Sequence, residues 1–169
     1  MEDVIIIRPY QPKDKEQVLA LILDIQTSEF AIEITAEQQP DLQDIPNFYQ
    51  IGNGNFWTAV VFNALKDSEQ IVGTVSLLDI GNQQAALRKM FVAKAFRGAS
   101  YGTASQLLET ALKWQKEKGI SQVFLGTTAK FLAAHRFYEK NGFKSISKSE
   151  LPSSFPVMTV DTRFYVYPE

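Results

Sequence analysis

Four basic residues, Arg88, Lys89, Lys94 and Arg97, fall between Ile80 and Leu108, a stretch without a single Asp or Glu. In a chain with 17 basic and 19 acidic side chains and a formal charge of −2, that local excess calls for an anion. At its centre Gly98 and Gly102 mark a turn that leaves a strand and opens a helix. Free N–H groups in the first turn of such a helix, and the positive end of its dipole, hold phosphate. The two glycines allow close backbone approach and positive φ, and Ser100 and Thr103 offer hydroxyl donors. A tight turn with four solvated charges is the other reading of the same residues. The loop is not a P-loop, because Thr103 stands where G-K-[ST] needs lysine. Nor is it a G-x-G-x-x-G dinucleotide loop followed by an acid about 20 residues on.

The remaining chemistry is bounded by what is missing. With no cysteine there is no thiolate nucleophile, disulfide or Cys-rich zinc site, and the lone histidine, His135, argues against a His-based metal centre. Carboxylates, tyrosines, backbone groups or a bound cofactor must act instead, and no metal is expected. The net negative charge speaks against nucleic acid or an anionic membrane as partner. Met1 to Ile7 begins acidic and lacks the basic start and the long apolar core of a secretory signal. No apolar run approaches the roughly 18 to 20 residues that span a bilayer, so a cytoplasmic protein is expected.

The elements that must position these groups follow from spacing. Val4 to Arg8 is β-branched and is followed by Pro9 and Pro12, a strand and a turn. Asp14, with Gln17 three residues on, predicts the cap of a helix carrying Val18, Leu19, Ile22, Ile25 and Gln26. Thr35 to Asn55, broken by Pro40, Pro46, Gly52 and Gly54, reads as one short helix and a loop. Phe56 to Phe62, Gln70 to Leu78 and Ala85 to Val92 read as an antiparallel meander, turning at Lys66–Ser68 and at Gly81–Asn82. Adjacent Arg88 and Lys89 break the alternation of the third strand and predict a bulge there. An amphipathic helix with Ala104, Leu107, Leu108, Ala111 and Leu112 follows and ends at Gly119. Then come a strand (Gln122 to Gly126), a helix (Lys130 to Asn141) and strands at Phe143 to Ser147 and Arg163 to Tyr167. No repeat or linker divides residues 1–169, so a single mixed α/β domain is expected.

Arg97-Gly98-Ala99-Ser100-Tyr101-Gly102 resembles the acetyl-CoA loop [QR]-x-x-G-x-[GA] of the GCN5-related N-acetyltransferase (GNAT) superfamily, with Ser100 in place of the first glycine. Further on, Ala134-His135-Arg136-Phe137-Tyr138-Glu139-Lys140-Asn141-Gly142-Phe143 is similar to that family's A-x-x-F-Y-E-K-x-G-F signature. The two motifs stand in the family's order, and with their flanking elements the resemblance covers roughly residues 4 to 147. It implies the GNAT fold: a mixed, mostly antiparallel sheet of about 6 to 7 strands, splayed at its centre and flanked by helices. It also implies acetyl-CoA as co-substrate, contacted by Phe91, Val92, Arg97, Gly98, Ala99, Ser100, Tyr101, Gly102, Thr103 and Phe131. Phe131 stands where many members carry asparagine, which puts an amide contact to the pantetheine arm in question.

Acetyl transfer from a thioester to an amine needs an oriented thioester, a donor for the developing oxyanion, a path for the amine's proton and an acid for the departing thiolate. The resemblance implies that the bulged strand at Met90 to Val92 turns a backbone N–H toward the thioester carbonyl. It makes Tyr138 the candidate acid, since a phenol of pKa about 10 is protonated at pH 7. Packing against Phe131 and Ala134 is the alternative for Tyr138. His135 reads as a surface or hydrogen-bonded residue rather than a base. Glu29, Glu33 and Asp79 are carboxylates without an assigned role, a water chain could also carry the proton, and the base is open. Phe48, Tyr49, Phe56 and Trp57 are core or pocket wall. The expected activity is direct acetyl transfer from acetyl-CoA to a primary amine of a small-molecule or amino-acid-like acceptor. The rival is a non-catalytic acyl-CoA-binding or sensing module with the same fold, and a homodimer is family habit.

Overall fold

The consecutive isoleucines Ile5, Ile6 and Ile7 open strand β1 (Ile5–Pro9), which pairs antiparallel with β2 (Asn55–Asn63) at one edge of the sheet, where a proline is tolerated. The structure, a computed structural model, describes residues 4–98, 101–128 and 132–168. Helix α1 (Lys15–Asp24) buries Val18 and Ile22 and runs directly into a π turn, Ile25–Glu29, closed by the bond from Phe30 N–H to the Ile25 carbonyl at 3.2 Å. Between Thr35 and Asn55 there are two short helices rather than one, α2 (Pro40–Gln43) and α3 (Ile45–Phe48). Pro40 and Pro46 begin these turns instead of breaking them, because a proline in the first turn forfeits only an N–H that would be unpaired anyway.

Asp14 stands at the start of α1 but makes no cap bond. Its carboxylate instead accepts from both terminal nitrogens of Arg8, at 2.7 and 3.0 Å, and from the Gln11 N–H at 3.0 Å. Burial pushes this carboxyl upward, and the bonds from Arg8 and Gln11 outweigh it, holding the group below the usual carboxylate range. A lowered folded-state pKa contributes stability that is complete above the unfolded value and is lost as pH falls through the folded one. Asp14→Asn is therefore expected to cost about 1–3 kcal/mol near neutrality and progressively less below about pH 4, read by urea unfolding at several pH values.

Strands β3 (Ser68–Gly81) and β4 (Gln84–Val92) complete the meander, joined by Asn82 and Gln83, whose φ values of +53° and +59° make the hairpin turn whose twist suits paired strands. Helix α4 (Thr103–Glu117), β5 (Gln122–Thr127), α5 (Leu132–Lys140), β6 (Lys144–Ile146) and β7 (Arg163–Tyr167) follow. The seven strands lie in the order β1-β2-β3-β4-β5-β7-β6, antiparallel throughout except between β4 and β5. This is the mostly antiparallel sheet flanked by helices that the motifs implied. One core lies under α4 and α5, around Leu107, Leu108 and Leu125, and a second under α1 to α3, around Ile22, Leu42 and Tyr49.

Two irregularities of β4 shape the molecule. Its pairing with β5 covers only Gln84–Ala86 against Gln122–Phe124, and past that point the two strands diverge. The predicted bulge is present: Thr74 pairs with Phe91 and Ser76 with Arg88, so Lys89 and Met90 together oppose Val75. Lys89 takes φ +56°, and the carbonyls of Lys89 and Arg88 accept from the buried hydroxyls of Thr74 (2.6 Å) and Ser76 (2.7 Å). Those two hydroxyls supply bonds that the interrupted ladder does not.

Candidate active site

Where β4 and β5 part, a cavity of about 580 Å³ opens. Leu87 to Val92 of β4 and Leu125 to Thr127 of β5 form its walls, and Tyr138 of α5 lines it. The π turn after α1 brings Gln26 and Glu29 to it, and the segment from Phe155 to Asp161 covers the remaining side. Beyond Ala86 the β5-facing backbone of β4 has no strand partner in β5, so a ligand lying in the split meets peptide groups not spent on a ladder. Because the split passes through the sheet, the cavity touches elements packed on both faces.

Past the end of β4 both glycines of the loop take the positive φ expected of them. Gly98 has φ +102° and Gly102 φ +64°. Among the described residues, a Cβ at Gly98 would meet nothing within 4 Å, and one at Gly102 only the Gln106 amide nitrogen at 3.9 Å, so these residues leave space beside the turn. Gly102 occupies the N-cap of α4 without a side-chain cap bond, which leaves first-turn N–H groups open. Thr103 differs from expectation: its hydroxyl is buried and donates to the Phe96 carbonyl at 2.9 Å, a bond internal to the loop. Only its backbone remains for an anion. Tyr101 lies against Phe96, with ring centroids 5.3 Å apart. Ala99, Ser100 and Phe131 fall outside the described residues.

The basic stretch divides into two sets. Arg97 folds back, donating from Nε to the Val92 carbonyl at 2.8 Å and through both terminal nitrogens to Glu29, at 2.7 Å for the Nη2 bond. The bonds from Arg97, against a smaller effect of burial, hold the Glu29 carboxyl below its usual range, which makes it a weak base. Lys94 is exposed beside the same loop. Arg88 and Lys89, by contrast, lie on the α1–α3 side with Asp41, 3.9 Å and 3.5 Å from its Oδ2.

Tyr138 is 5% exposed and packs against Phe143 and Tyr165, with ring centroids 5.5 and 6.2 Å away. Burial pushes its phenol well above the ordinary tyrosine value, so it is protonated at every physiological pH. Packing and access to the cavity thus coexist in this side chain. His135 is buried and hydrogen-bonded, with Nε2 2.9 Å from the Thr128 carbonyl and Nδ1 3.3 Å from Arg163. A carbonyl on one side and a guanidinium on the other fit the neutral tautomer protonated at Nε2 and use both ring nitrogens. Asp79 accepts from the N–H groups of Asn53 (2.9 Å) and Gly81 (2.8 Å), and Glu33 is exposed outside the cavity. Tyr49, Phe56 and Trp57 are core, and Phe48 lies beneath Arg88, 5.7 Å from its guanidinium carbon.

Asp161, which nothing in the sequence singles out, lines the cavity. Burial raises its carboxyl above the usual range, against the lowering effects of the Met158 N–H, 2.9 Å from Oδ2, and of Arg88. The carboxyl occupies space that Gly126 leaves free, since a Cβ there would stand 2.6 Å from Oδ2. Only the return of the chain beside β5 brings residues 35 apart into this contact, so no local signal exists.

The Acetyltransferase (GNAT) family model matches residues 19–143. A GNAT-family acetyltransferase of Staphylococcus aureus superposes with a TM-score of 0.88 at 40% identity, covering 96% of this chain and 98% of that one. An N-acetyltransferase of Thermoplasma acidophilum, solved in complex with coenzyme A, shares the fold with a TM-score of 0.70 at 18% identity, covering 98% of this chain and 99% of that one. The N-acetylaspartate synthetase of Danio rerio is 34% identical over 112 residues, which are 65% of this chain and 37% of that protein. The chain thus spans little more than a third of that relative's length.

Proposed function

Because the chain belongs to the acetyltransferase (GNAT) family, we propose that it transfers an acetyl group from acetyl-CoA directly to the primary amine of a small, amino-acid-like acceptor, acting as one domain over residues 1–169. The observation that carries this reading is the cavity at the β4/β5 split, lined from one sheet face by Tyr138 of α5 and from the other by the π turn. The acceptor class is supported by the zebrafish relative, whose named product is an N-acetylated amino acid. Coenzyme A in the Thermoplasma neighbour supports the donor.

The residues present fit that donor. Open first-turn N–H groups of α4, beside two glycines with positive φ and free space, suit a pyrophosphate. Backbone groups of Phe91 and Val92 at the split orient the pantetheine arm. Bound acetyl-CoA supplies an activated thioester, so this chain needs no cysteine. Tyr138 directs its O–H toward the sulfur. A thiol of pKa about 8.5 is a stronger acid than this buried phenol, so Tyr138 stabilises the departing thiolate as a hydrogen-bond donor rather than by complete proton transfer. Asp161, its pKa raised by burial, takes the proton that the amine loses as its nitrogen bonds to the acetyl carbon and the carbon–sulfur bond breaks.

The test is release of free CoA thiol from acetyl-CoA across a panel of amino acids, polyamines, aminoglycosides and peptides. Release with none of them, together with acetyl-CoA binding by calorimetry, would favour the non-catalytic module. Asp161→Asn keeps an acceptor for the Met158 N–H and removes the base. It is expected to lower kcat/KM about a hundredfold. The parent's rate should fall on acidification through the Asp161 pKa, and that limb should vanish from the pH profile of the variant.

A further inference from the structure

We infer that Arg88 and Lys89 form the acceptor subsite and that it binds a carboxylate, so the substrate class is an amine bearing a carboxylate, not a polyamine or an aminoglycoside; this rests on the reading of the cavity as an acetyltransferase site.

The bulge creates the subsite. In a regular strand, neighbours 88 and 89 would point to opposite faces, and one cation would enter the core under α4. With an extra residue in β4, both project to the α1–α3 side: Arg88 lies over the rings of Phe48 and Tyr49, its guanidinium carbon 5.7 and 5.9 Å from their centroids, and Lys89 Nζ is 2.9 Å from Gln39 Oε1. Both line the cavity, and their side chains are only 15% and 10% exposed.

Their charge is incompletely matched. Asp41, the carboxylate near both, accepts the Tyr49 hydroxyl at 2.5 Å and stands 3.5 Å from Lys89 and 3.9 Å from Arg88. Arg88 has five N–H donors, and its side-chain hydrogen bond among the described residues goes to the Met158 thioether at 3.9 Å. Arg88 and Lys89, each mostly withdrawn from water, have Asp41 as their one carboxylate within 4 Å among the described residues, and a charge removed from water is costly until paired. Asp161 also faces the cavity, but its Oδ2 is held by the Met158 N–H and no ion pair joins it to Arg88. The rings of Phe48 and Tyr49 hold the guanidinium carbon in place, and a guanidinium grips a carboxylate with two parallel bonds. Gln39, locked to Gln26 by reciprocal amide bonds of 3.1 and 2.9 Å, holds Lys89 beside it.

A phosphate of CoA is the other anion of the system, and the experiment separates the two. Acetyl-CoA affinity is measured by calorimetry, and turnover is measured with amino acids, their carboxamides and polyamines, for the parent, Arg88→Met and Arg88→Lys. The expected parent prefers the free acid over its carboxamide by on the order of a hundredfold in kcat/KM. Arg88→Met should abolish that preference through the KM of the free acid and leave acetyl-CoA affinity unchanged; Arg88→Lys should restore part of the preference. A general folding defect, or a shift of Asp161 caused by losing Arg88, would instead slow acid and amide alike. Equal or better use of carboxamides or polyamines by the parent overturns the carboxylate subsite and leaves the acetyltransferase reading standing. Loss of acetyl-CoA affinity in Arg88→Met assigns the pair to CoA and also overturns it. If the parent binds acetyl-CoA but acetylates nothing, or does not bind it, both readings fall.

Discussion

Tyr138→Phe is expected to lower kcat about a hundredfold while changing acetyl-CoA affinity by less than about twofold. The substitution removes one oxygen and keeps the ring, so the contacts with Phe137, Phe143 and Tyr165 that seat α5 on the sheet are retained. The phenol makes no hydrogen bond with a described residue, so no partner among them is stranded. Transition-state stabilisation of the leaving sulfur is then the property removed, and it should register in kcat rather than in binding. Because burial holds the phenol protonated, the parent should show no alkaline loss of rate from Tyr138 below about pH 10. Stopped-flow or thiol-release kinetics with calorimetric binding decide the matter. Unchanged kcat would assign Tyr138 to packing alone.

Gly102→Glu should weaken acetyl-CoA binding by about a hundredfold or more. A carboxylate there occupies the free space beside the turn and faces the same N–H groups that a pyrophosphate would use. At an effective dielectric of about 20, like charges about 4 Å apart repel by about 4 kcal/mol, and each 1.4 kcal/mol is tenfold in affinity. The backbone contribution is separable. Any L residue at φ +64° costs about 1–2 kcal/mol of stability, so Gly102→Ala carries the strain without the charge and should bind within a few fold of the parent. An acid at a helix N-terminus also favours the helix, so loss of α4 would not explain a binding defect in the glutamate variant. Calorimetric titration with acetyl-CoA checks both, and equal affinities for Gly102→Glu and parent would remove the turn from the anion site.

The parts legible beforehand share one property: they are local in the chain. Alternation and turn residues located the strands, Asn82 sits in the turn expected of it, and the broken alternation at Arg88 and Lys89 marked a bulge that is present. Positive φ at Gly98 and Gly102 follows from glycine's missing Cβ at a strand-to-helix turn. Pro40 and Pro46 start helices where the sequence alone suggests breaks, because proline serves both roles and the packing of Leu42 and Ile45 beneath the sheet distinguishes them. The cap expected of Asp14 gave way to Arg8, since the stronger partner for a buried carboxylate is a guanidinium that the fold brings close.

By itself, then, the sequence determined a glycine turn at the head of α4, Tyr138 as a candidate for packing or for the acid role, and a chain that must do its chemistry without a cysteine. The tertiary structure decided how the charges are used. One acid-free basic stretch becomes two groups, Arg97 joined to Glu29 near the glycine turn and Arg88 with Lys89 beside Asp41. Asp161 enters the cavity only because Gly126 leaves room for it on a strand far away in sequence. Periodicity reports which face a residue takes within its own element. Which other charge it meets is set by strand order and by the split between β4 and β5, and neither is encoded in a neighbour's identity.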